Sequence, residues 1–315
     1  MIALRKAVLC VLAAAAMAVT GCGSDGGSSG GERSSGARTP LQIANGPVQA
    51  ATGTRPLTVR LERPDRIHVR FKHPPRSGLL VDLDTGEVLW RHSPTRVLPM
   101  ASLTKMTTAL LVTERLQGSD KAKVTKEALA YKGSGVGVLP RGRRVKVETL
   151  LYGLLLPSGN DAAIALAQRA SGTVAGFVNR MNEMAGRMGL SCSRYTSPDG
   201  FQDAGNHSCA VDLAALARAV LDTPRLARIV RTRRTARPFP IKGGRLFLNN
   251  NNPLLRMGYP GTIGVKTGYT DKAGRCLVAA ARRHERRLGV VLLHSPDPGR
   301  QATQLLDRGF RLKAS

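Results

Sequence analysis

"PMASLTKMTTALL", residues 99–111, is the stretch on which the reading of this chain turns. Leu103, Met106 and Leu110 recur at helical spacing behind Ser102, a residue type that commonly caps helices. Lys105 stands one turn after Ser102, beside that apolar stripe. A cap followed by a solvated lysine accounts for the pair, and so does a nucleophile with its own base. A serine hydroxyl attacks poorly unless a base takes its proton, and a lysine three residues on shares its helix face.

Two other short motifs follow in order, Ser158-Gly159-Asn160 and Lys266-Thr267-Gly268. The first falls between two helical patterns and the second within a strand-like run. Ser, Gly and Asn dominate turns, so Ser158-Gly159-Asn160 alone reads as a loop, and Lys266-Thr267-Gly268 alone as a strand end with a turn glycine. Together with the Ser102–Lys105 spacing they form an ordered set associated with serine acyl transfer.

The flanks extend the pattern. "LLVDLDTGEVLWRHSPTRVLPMASLTKMTTALL", "LLYGLLLPSGNDAAIALA" and "NPLLRMGYPGTIGVKTGYTDKAGRCLVAAARR" resemble the hallmark segments of the penicillin-interacting serine enzymes. The resemblance is to the low-molecular-mass D-alanyl-D-alanine carboxypeptidases and covers roughly residues 77–311. It implies an α+β fold like that of β-lactamases and penicillin-binding transpeptidases, an antiparallel sheet flanked by a helical subdomain. It also implies peptidoglycan stem peptides as substrate, covalent binding of β-lactam antibiotics, and no cofactor.

On that footing Ser102 is the expected nucleophile and Lys105 its base, with burial and the positive charge of Lys266 together keeping Lys105 partly neutral. Ser158 would relay a proton to the leaving amine, and Asn160 would bond the substrate backbone. Lys266 and Thr267 would face the substrate carboxylate. The N–H groups of Ser102 and, by resemblance, Tyr269, beside Gly268 on the same strand, would form an oxyanion hole. By resemblance too, Arg300 in "DPGRQATQLLDRGF" would hold the terminal carboxylate, since a guanidinium meets both oxygens at once. Its arginine-rich surroundings leave a solvated residue as the other reading.

Elements read from periodicity agree with an α+β chain. "SGLLVDLDTGEVLWRH" reads as a hairpin turning at Asp84-Thr85-Gly86. "VETLLYGLLLPSGNDAAIALAQRASG" reads as two helices broken at residues 157–160, and "VAGFVNRMNEMAGRMGL" and "AVDLAALARAVLD" as two more. After Gly261 come short apolar runs expected to be adjacent antiparallel strands, then a closing helix. Early strands, central helices and late strands suggest one sheet that unites the two ends of the domain. "KGSGVGVLPRGRR" lacks the Gly-Lys-Ser/Thr ending of a nucleotide loop; the family resemblance implies a loop and hairpin near the site there.

The beginning of the chain reads as an export signal. Residues 1–21 show a short basic start, an apolar run and small residues, too short for a comfortable membrane span. Val19-Thr20-Gly21-Cys22 resembles the lipobox of bacterial lipoproteins, which implies lipidation of Cys22. Residues 22–64 are polar and expected as a flexible tether, leaving 65–315 as the catalytic domain without a following β-rich domain. The expected location is the outer face of the cell membrane, anchored by lipid.

Across 315 residues, 48 Lys and Arg against 21 Asp and Glu give a net charge of +27. Export argues against nucleic acid as partner and favours anionic headgroups or acidic wall polymers; arginine-biased coding explains the charge equally well. The cluster "RIVRTRRTARP" reads as a solvated basic face. Of five cysteines, Cys10 leaves with the signal, Cys192 and Cys209 are candidates for a disulfide outside the cytoplasm, and Cys276 reads as a buried small hydrophobe. No Cys–His grouping has zinc spacing, so no metal is expected.

Three other functions share parts of this machinery: a β-lactamase, a D,D-endopeptidase and a non-catalytic lipid-anchored sensor. Class A lactamases deacylate through a glutamate between the second and third motifs. The corresponding stretch, "LSCSRYTSPDGFQDAGNHS", has none, leaving only Asp199 and Asp203 as substitutes. The endopeptidase shares the catalytic groups, and the intact triplets weigh against the sensor.

Overall fold

The computed structural model describes residues 57–201 and 205–312. The signal, Cys22, Asp203 and most of the expected tether lie outside these residues. In chain order the N-terminal part comprises β1 (Ser77–Asp82), β2 (Val88–His92), β3 (Leu98–Pro99), a 3-10 turn (Ala101–Thr104), α1 (Lys105–Arg115), β4 (Lys121–Lys123), α2 (Lys126–Leu129) and β5 (Arg144–Lys146). The central part comprises α3 (Val147–Leu155), α4 (Asn160–Ser171), α5 (Val174–Arg187), β6 (His207–Ser208), α6 (Ala210–Asp222) and α7 (Pro224–Val230). The remainder is β7 (Arg234–Pro238), β8 (Arg245–Asn249), α8 (Pro253–Met257), β9 (Thr262–Thr270), β10 (Gly274–Arg283), β11 (Arg286–Leu293) and α9 (Pro298–Arg311).

Five strands form an antiparallel sheet in the order β2-β1-β11-β10-β9, so the first and last strands of the domain are neighbours, as expected. Alternate residues feed two separate cores. Leu79, Val81, Val278, Ala280, Val291 and Leu293 face the helical subdomain. Leu80, Leu277, Ala279, Val290 and Leu292 face α9 through Ala302, Leu305 and Leu306. Both sheet faces are covered, which is why these strands read as continuous apolar runs rather than alternating ones. Burying one such leucine or valine contributes about 1.5–3 kcal/mol.

Helix α1 is the axis of the other layer. Lys105 through Val112 are all buried, so it is enclosed on every side and not amphipathic as its stripe suggested. Ser102 makes no side-chain cap; it lies inside the 3-10 turn that leads into α1. The expected break between α3 and α4 is present, and Gly172 ends α4 with φ 79°.

One other reading needs correction and one needs refining. Residues 57–64 were expected as tether, yet Arg60 pairs with Gly86 through its N–H at 2.9 Å. Leu57, Val59 and Leu61 pack on the core, and the Arg91 guanidinium donates to the carbonyls of Leu61 and Arg63. The alternation in "LTVRLER" was the unread signal. The basic cluster 228–238 spans the end of α7 and strand β7; Arg228, Arg231, Arg233 and Arg234 are exposed, as a solvated face requires, while Arg237 is half-buried and stacked 4.4 Å over the Tyr152 ring. Its partner β8 completes a hairpin that the charge run concealed.

Cys192 and Cys209 form a disulfide, and Cys276 is a buried free thiol. Their sulfurs lie near Asp212, but sulfurs joined to each other are not thiolate ligands, so the group does not fit a metal. No described helix is long and apolar enough to cross a membrane.

Candidate active site

The 3-10 turn, the α3–α4 connection and the edge strand β9 converge at one place. Lys105 Nζ donates to Ser102 Oγ at 2.8 Å, to Asn160 Oδ1 at 2.6 Å and to the Asp199 carbonyl at 2.8 Å. Three acceptors fill the ammonium's three donor positions. Lys105 has no exposed surface. Burial lowers its pKa from 10.5 to about 8, against the opposing pull of Asp199 and Asp161. At pH 7 about a tenth of such lysines are neutral, against well under a thousandth of ordinary ones.

Lys266, also buried, donates to Ser158 Oγ at 3.0 Å and to the Thr267 carbonyl at 2.8 Å. Its pKa is held well below the usual lysine range, first by burial and then by the charge of Lys105. The sequence assigned the lowering of Lys105 to burial together with the charge of Lys266, and burial is its leading cause.

Two non-glycine residues take left-handed backbone here: Ala101 at φ 49° and Ser158 at φ 71°. They precede Ser102 and open the second motif. Such residues cost of order 1–3 kcal/mol each and persist only where the surroundings enforce them. Close approaches supply the enforcement. A Cβ on Gly268 would stand 3.0 Å from the Met100 carbonyl and 3.2 Å from the Ser102 nitrogen. This contact sets the Ser102 N–H against the backbone of β9, an edge strand whose alternate N–H groups have no strand partner on that side.

Asn160 has a part the sequence did not suggest. Its Oδ1 holds Lys105 and its Nδ2 donates to the Lys132 carbonyl, so both ends of the amide position the protein's own groups. Asp161 fixes the facing loop: Oδ1 accepts from the Val136 N–H at 2.9 Å and Oδ2 from the Gly137 N–H at 3.0 Å. The sequence reading missed Asp161, and missed the Asp199 carbonyl as a lysine acceptor; "SPDGF" was the only signal for the latter. The Asp199 carboxylate is occupied by Ser197 Oγ at 2.8 Å and the Phe201 N–H at 3.0 Å.

A cleft of about 490 Å³ opens over Ser102, lined by Gly133, Ser134, Asn160, Phe201, Tyr269, Thr270, Asp271 and Lys272. The Tyr269 side chain is exposed, with its hydroxyl donating to Asp271 at 3.0 Å. Thr267 is half-buried on the same strand. Arg300 stands exposed in the first turn of α9, outside the residues that line the cleft, and its guanidinium makes no hydrogen bond or ion pair among the described residues. No hydrogen bond among the described residues runs directly from Ser158 to Ser102; the two meet through Asn160 and through β9. A serine deprotonated by a buried, partly neutral lysine, beside unpaired strand N–H groups, is equipped to attack a carbonyl carbon.

Residues 66–297 match the family model described as D-alanyl-D-alanine carboxypeptidase, peptidase family S11. The chain is 33% identical over 252 residues to the D-alanyl-D-alanine carboxypeptidase DacF of Bacillus subtilis, covering 76% of this chain and 62% of that one. It is 35% identical over 250 residues to DacB2 of Mycobacterium tuberculosis, covering 76% and 83% respectively. A solved D-alanyl-D-alanine carboxypeptidase from M. tuberculosis superposes with TM-score 0.73 at 32% identity, over 83% of this chain and 97% of that one. A mutant of a Streptomyces DD-transpeptidase superposes with TM-score 0.72 at 30% identity, over 77% of this chain and all of that one. The chain thus spans less than two thirds of the Bacillus relative and most of the mycobacterial ones. With the site's geometry, these matches establish that the chain belongs to the S11 family of serine peptidases, the D-alanyl-D-alanine carboxypeptidases.

Proposed function

We propose that the chain is a serine D,D-carboxypeptidase that removes the terminal D-alanine from peptidoglycan pentapeptide stems. The observation that carries this is the 2.8 Å hydrogen bond between a fully buried Lys105 and Ser102 Oγ. Neutral Lys105 takes the Ser102 proton as Oγ bonds to the carbonyl carbon of the penultimate residue. The C–N bond then breaks, and the proton held by Lys105 passes by way of Ser158, beside Lys266, to the departing amine, which leaves Lys105 neutral again. Water attacks the resulting ester, its proton is taken by the same base, and the shortened stem leaves as a carboxylic acid with Ser102 restored.

A penicillin would form the same ester with Ser102. Asp199, one of the two aspartates in "LSCSRYTSPDGFQDAGNHS", accepts from Ser197 Oγ and the Phe201 N–H within its own turn, which supports slow release and speaks against a β-lactamase. We further propose export and attachment to the outer membrane surface through a lipid on Cys22, supported by the Val19-Thr20-Gly21-Cys22 motif. The test uses protein lacking residues 1–22 with a pentapeptide ending in D-alanyl-D-alanine. Stoichiometric release of one D-alanine per stem is expected. Absence of release from protein that still takes up labelled penicillin would contradict the carboxypeptidase assignment, and cleavage of cross-linked dimers alone would replace it with an endopeptidase.

A further inference from the structure

Away from the cleft, the base of the β7–β8 hairpin and the end of α8 frame an open surface cavity of about 860 Å³ lined by the exposed Arg233, Arg234 and Arg256 and by Asn249, Asn250 and Asn251. No acidic residue lines it. Three guanidinium groups gathered in one concavity repel one another unless an anion or water offsets them, and none of the three is ion-paired among the described residues. The Arg233 guanidinium donates only to the Arg256 carbonyl, at 3.3 Å. Guanidinium donors around a hollow suit the oxygens of a phosphate.

Exposed apolar side chains flank the same place. Strand β8 alternates, with Leu246 and Leu248 buried and Phe247 outward, 74% exposed. Phe247 shares that outward face with Arg245 and with Asn249 of the cavity wall, and Ala236 of β7 lies opposite it. Met257, next in chain to Arg256, is 58% exposed, and Ile241 at the hairpin tip is 39% exposed beside Lys242. A free polyanion would use the arginines but has no use for Phe247 and Met257. A bilayer surface uses both, because headgroup phosphates lie directly over an apolar zone.

We propose that this face docks onto anionic phospholipid membranes, with the arginine cavity receiving a headgroup phosphate and Phe247 and Met257 entering the interface. It is a second contact, independent of any lipid on Cys22. It rests on the reading that the protein is exported but not on the D,D-carboxypeptidase activity. The face is tied to the catalytic region by Asn251, whose N–H bonds the Leu156 carbonyl at 3.1 Å and whose side-chain amide bonds the Pro157 carbonyl at 3.2 Å.

The test is co-sedimentation of protein lacking residues 1–22 with vesicles of phosphatidylglycerol and phosphatidylcholine, or of phosphatidylcholine alone. Omitting the N-terminal residues makes the outcome independent of lipidation. Binding is expected to the anionic vesicles only, weakening as salt rises. Replacing Arg233, Arg234 and Arg256 together by Ser should lower it by roughly a hundredfold, at about a factor of five per charge. Phe247→Ser should lower it severalfold. Penicillin labelling of both variants should match the parent, which shows that they fold. Equal binding by the triple variant and the parent would overturn the proposal, as would no binding by the parent. Competition by inorganic polyphosphate with no effect of Phe247→Ser would overturn it in favour of a soluble polyanion.

Discussion

Asp199 and Lys105 are joined by a backbone carbonyl, 2.8 Å from the lysine Nζ, rather than by the carboxylate. The carbonyl satisfies the third donor of a buried ammonium without adding a full negative charge at that distance. The lysine therefore keeps a pKa lowered by burial to about 8, while the Asp199 carboxylate stays in its turn.

The pH dependence of acylation follows from this. Neutral Lys105 is the base, so its fraction grows as pH rises through about 8. The second-order rate of penicillin acylation should climb through the same range and level off above it. Lys105→Arg keeps the charge and cannot shed its proton, so acylation should fall by about 10²–10⁴ at every pH. Stopped-flow labelling across pH 6–10 checks both. A rate flat in pH, or an active arginine variant, would remove the lysine from its role.

Stability carries the same sign. The unfolded lysine titrates near 10.5 and the folded one near 8, so between these values the unfolded chain holds more protons. The Lys105 contribution therefore makes unfolding free energy rise with pH across that window and stay constant below it. Urea titrations of parent and Lys105→Met at pH 7 and pH 9.5 should show the difference between the two proteins shifting in the variant's disfavour at the higher pH.

Gly200 should tolerate no side chain. Its φ is 73° and a Cβ would lie 2.1 Å from the Ala101 carbonyl oxygen. Gly200→Ala is expected to cost about 2 kcal/mol or more. It should also lower acylation, because the shift moves the neighbouring Asp199 carbonyl off Lys105. Unchanged melting and unchanged labelling would show that the turn accommodates a methyl group.

The Cys192–Cys209 disulfide closes a loop of separation 17 that carries the "SPDGF" turn. A loop of that size constrains the unfolded chain by about 3 kcal/mol. Replacing both cysteines by Ser should lower stability by that order in denaturant titrations, with penicillin labelling retained at 25 °C. A variant as stable as the parent would show that hydrogen bonds such as those from Lys105 and Thr108 to the Asp199 and Pro198 carbonyls hold the loop without the disulfide.

Much of this was legible in the sequence, for identifiable reasons. Leu79–Val81 and Leu277–Ala281 announce strands because both sheet faces are covered, and Ser158–Asn160 announces a break because the helix must stop there. What stayed hidden depended on contacts distant in sequence. The acceptors that hold the buried Lys105 ammonium include Asn160 and Asp199, 55 and 94 residues away, and no local pattern encodes them. The hairpin β7–β8 was obscured because its arginines dominate the composition, although Leu246 and Leu248 alternate with Phe247 as a strand should. Leu57–Leu61 were absorbed into the polar segment before them for the same reason.

The central claim is that Ser102 is the acylated residue and Lys105 its base. Its most direct test is peptide mapping by mass spectrometry after penicillin treatment of the parent, Ser102→Ala and Lys105→Arg. The account predicts one penicilloyl group on the peptide containing Ser102 in the parent, persisting for many minutes, and none in Ser102→Ala despite unchanged melting. An adduct on another residue, or a parent that hydrolyses penicillin without accumulating the ester, would contradict it.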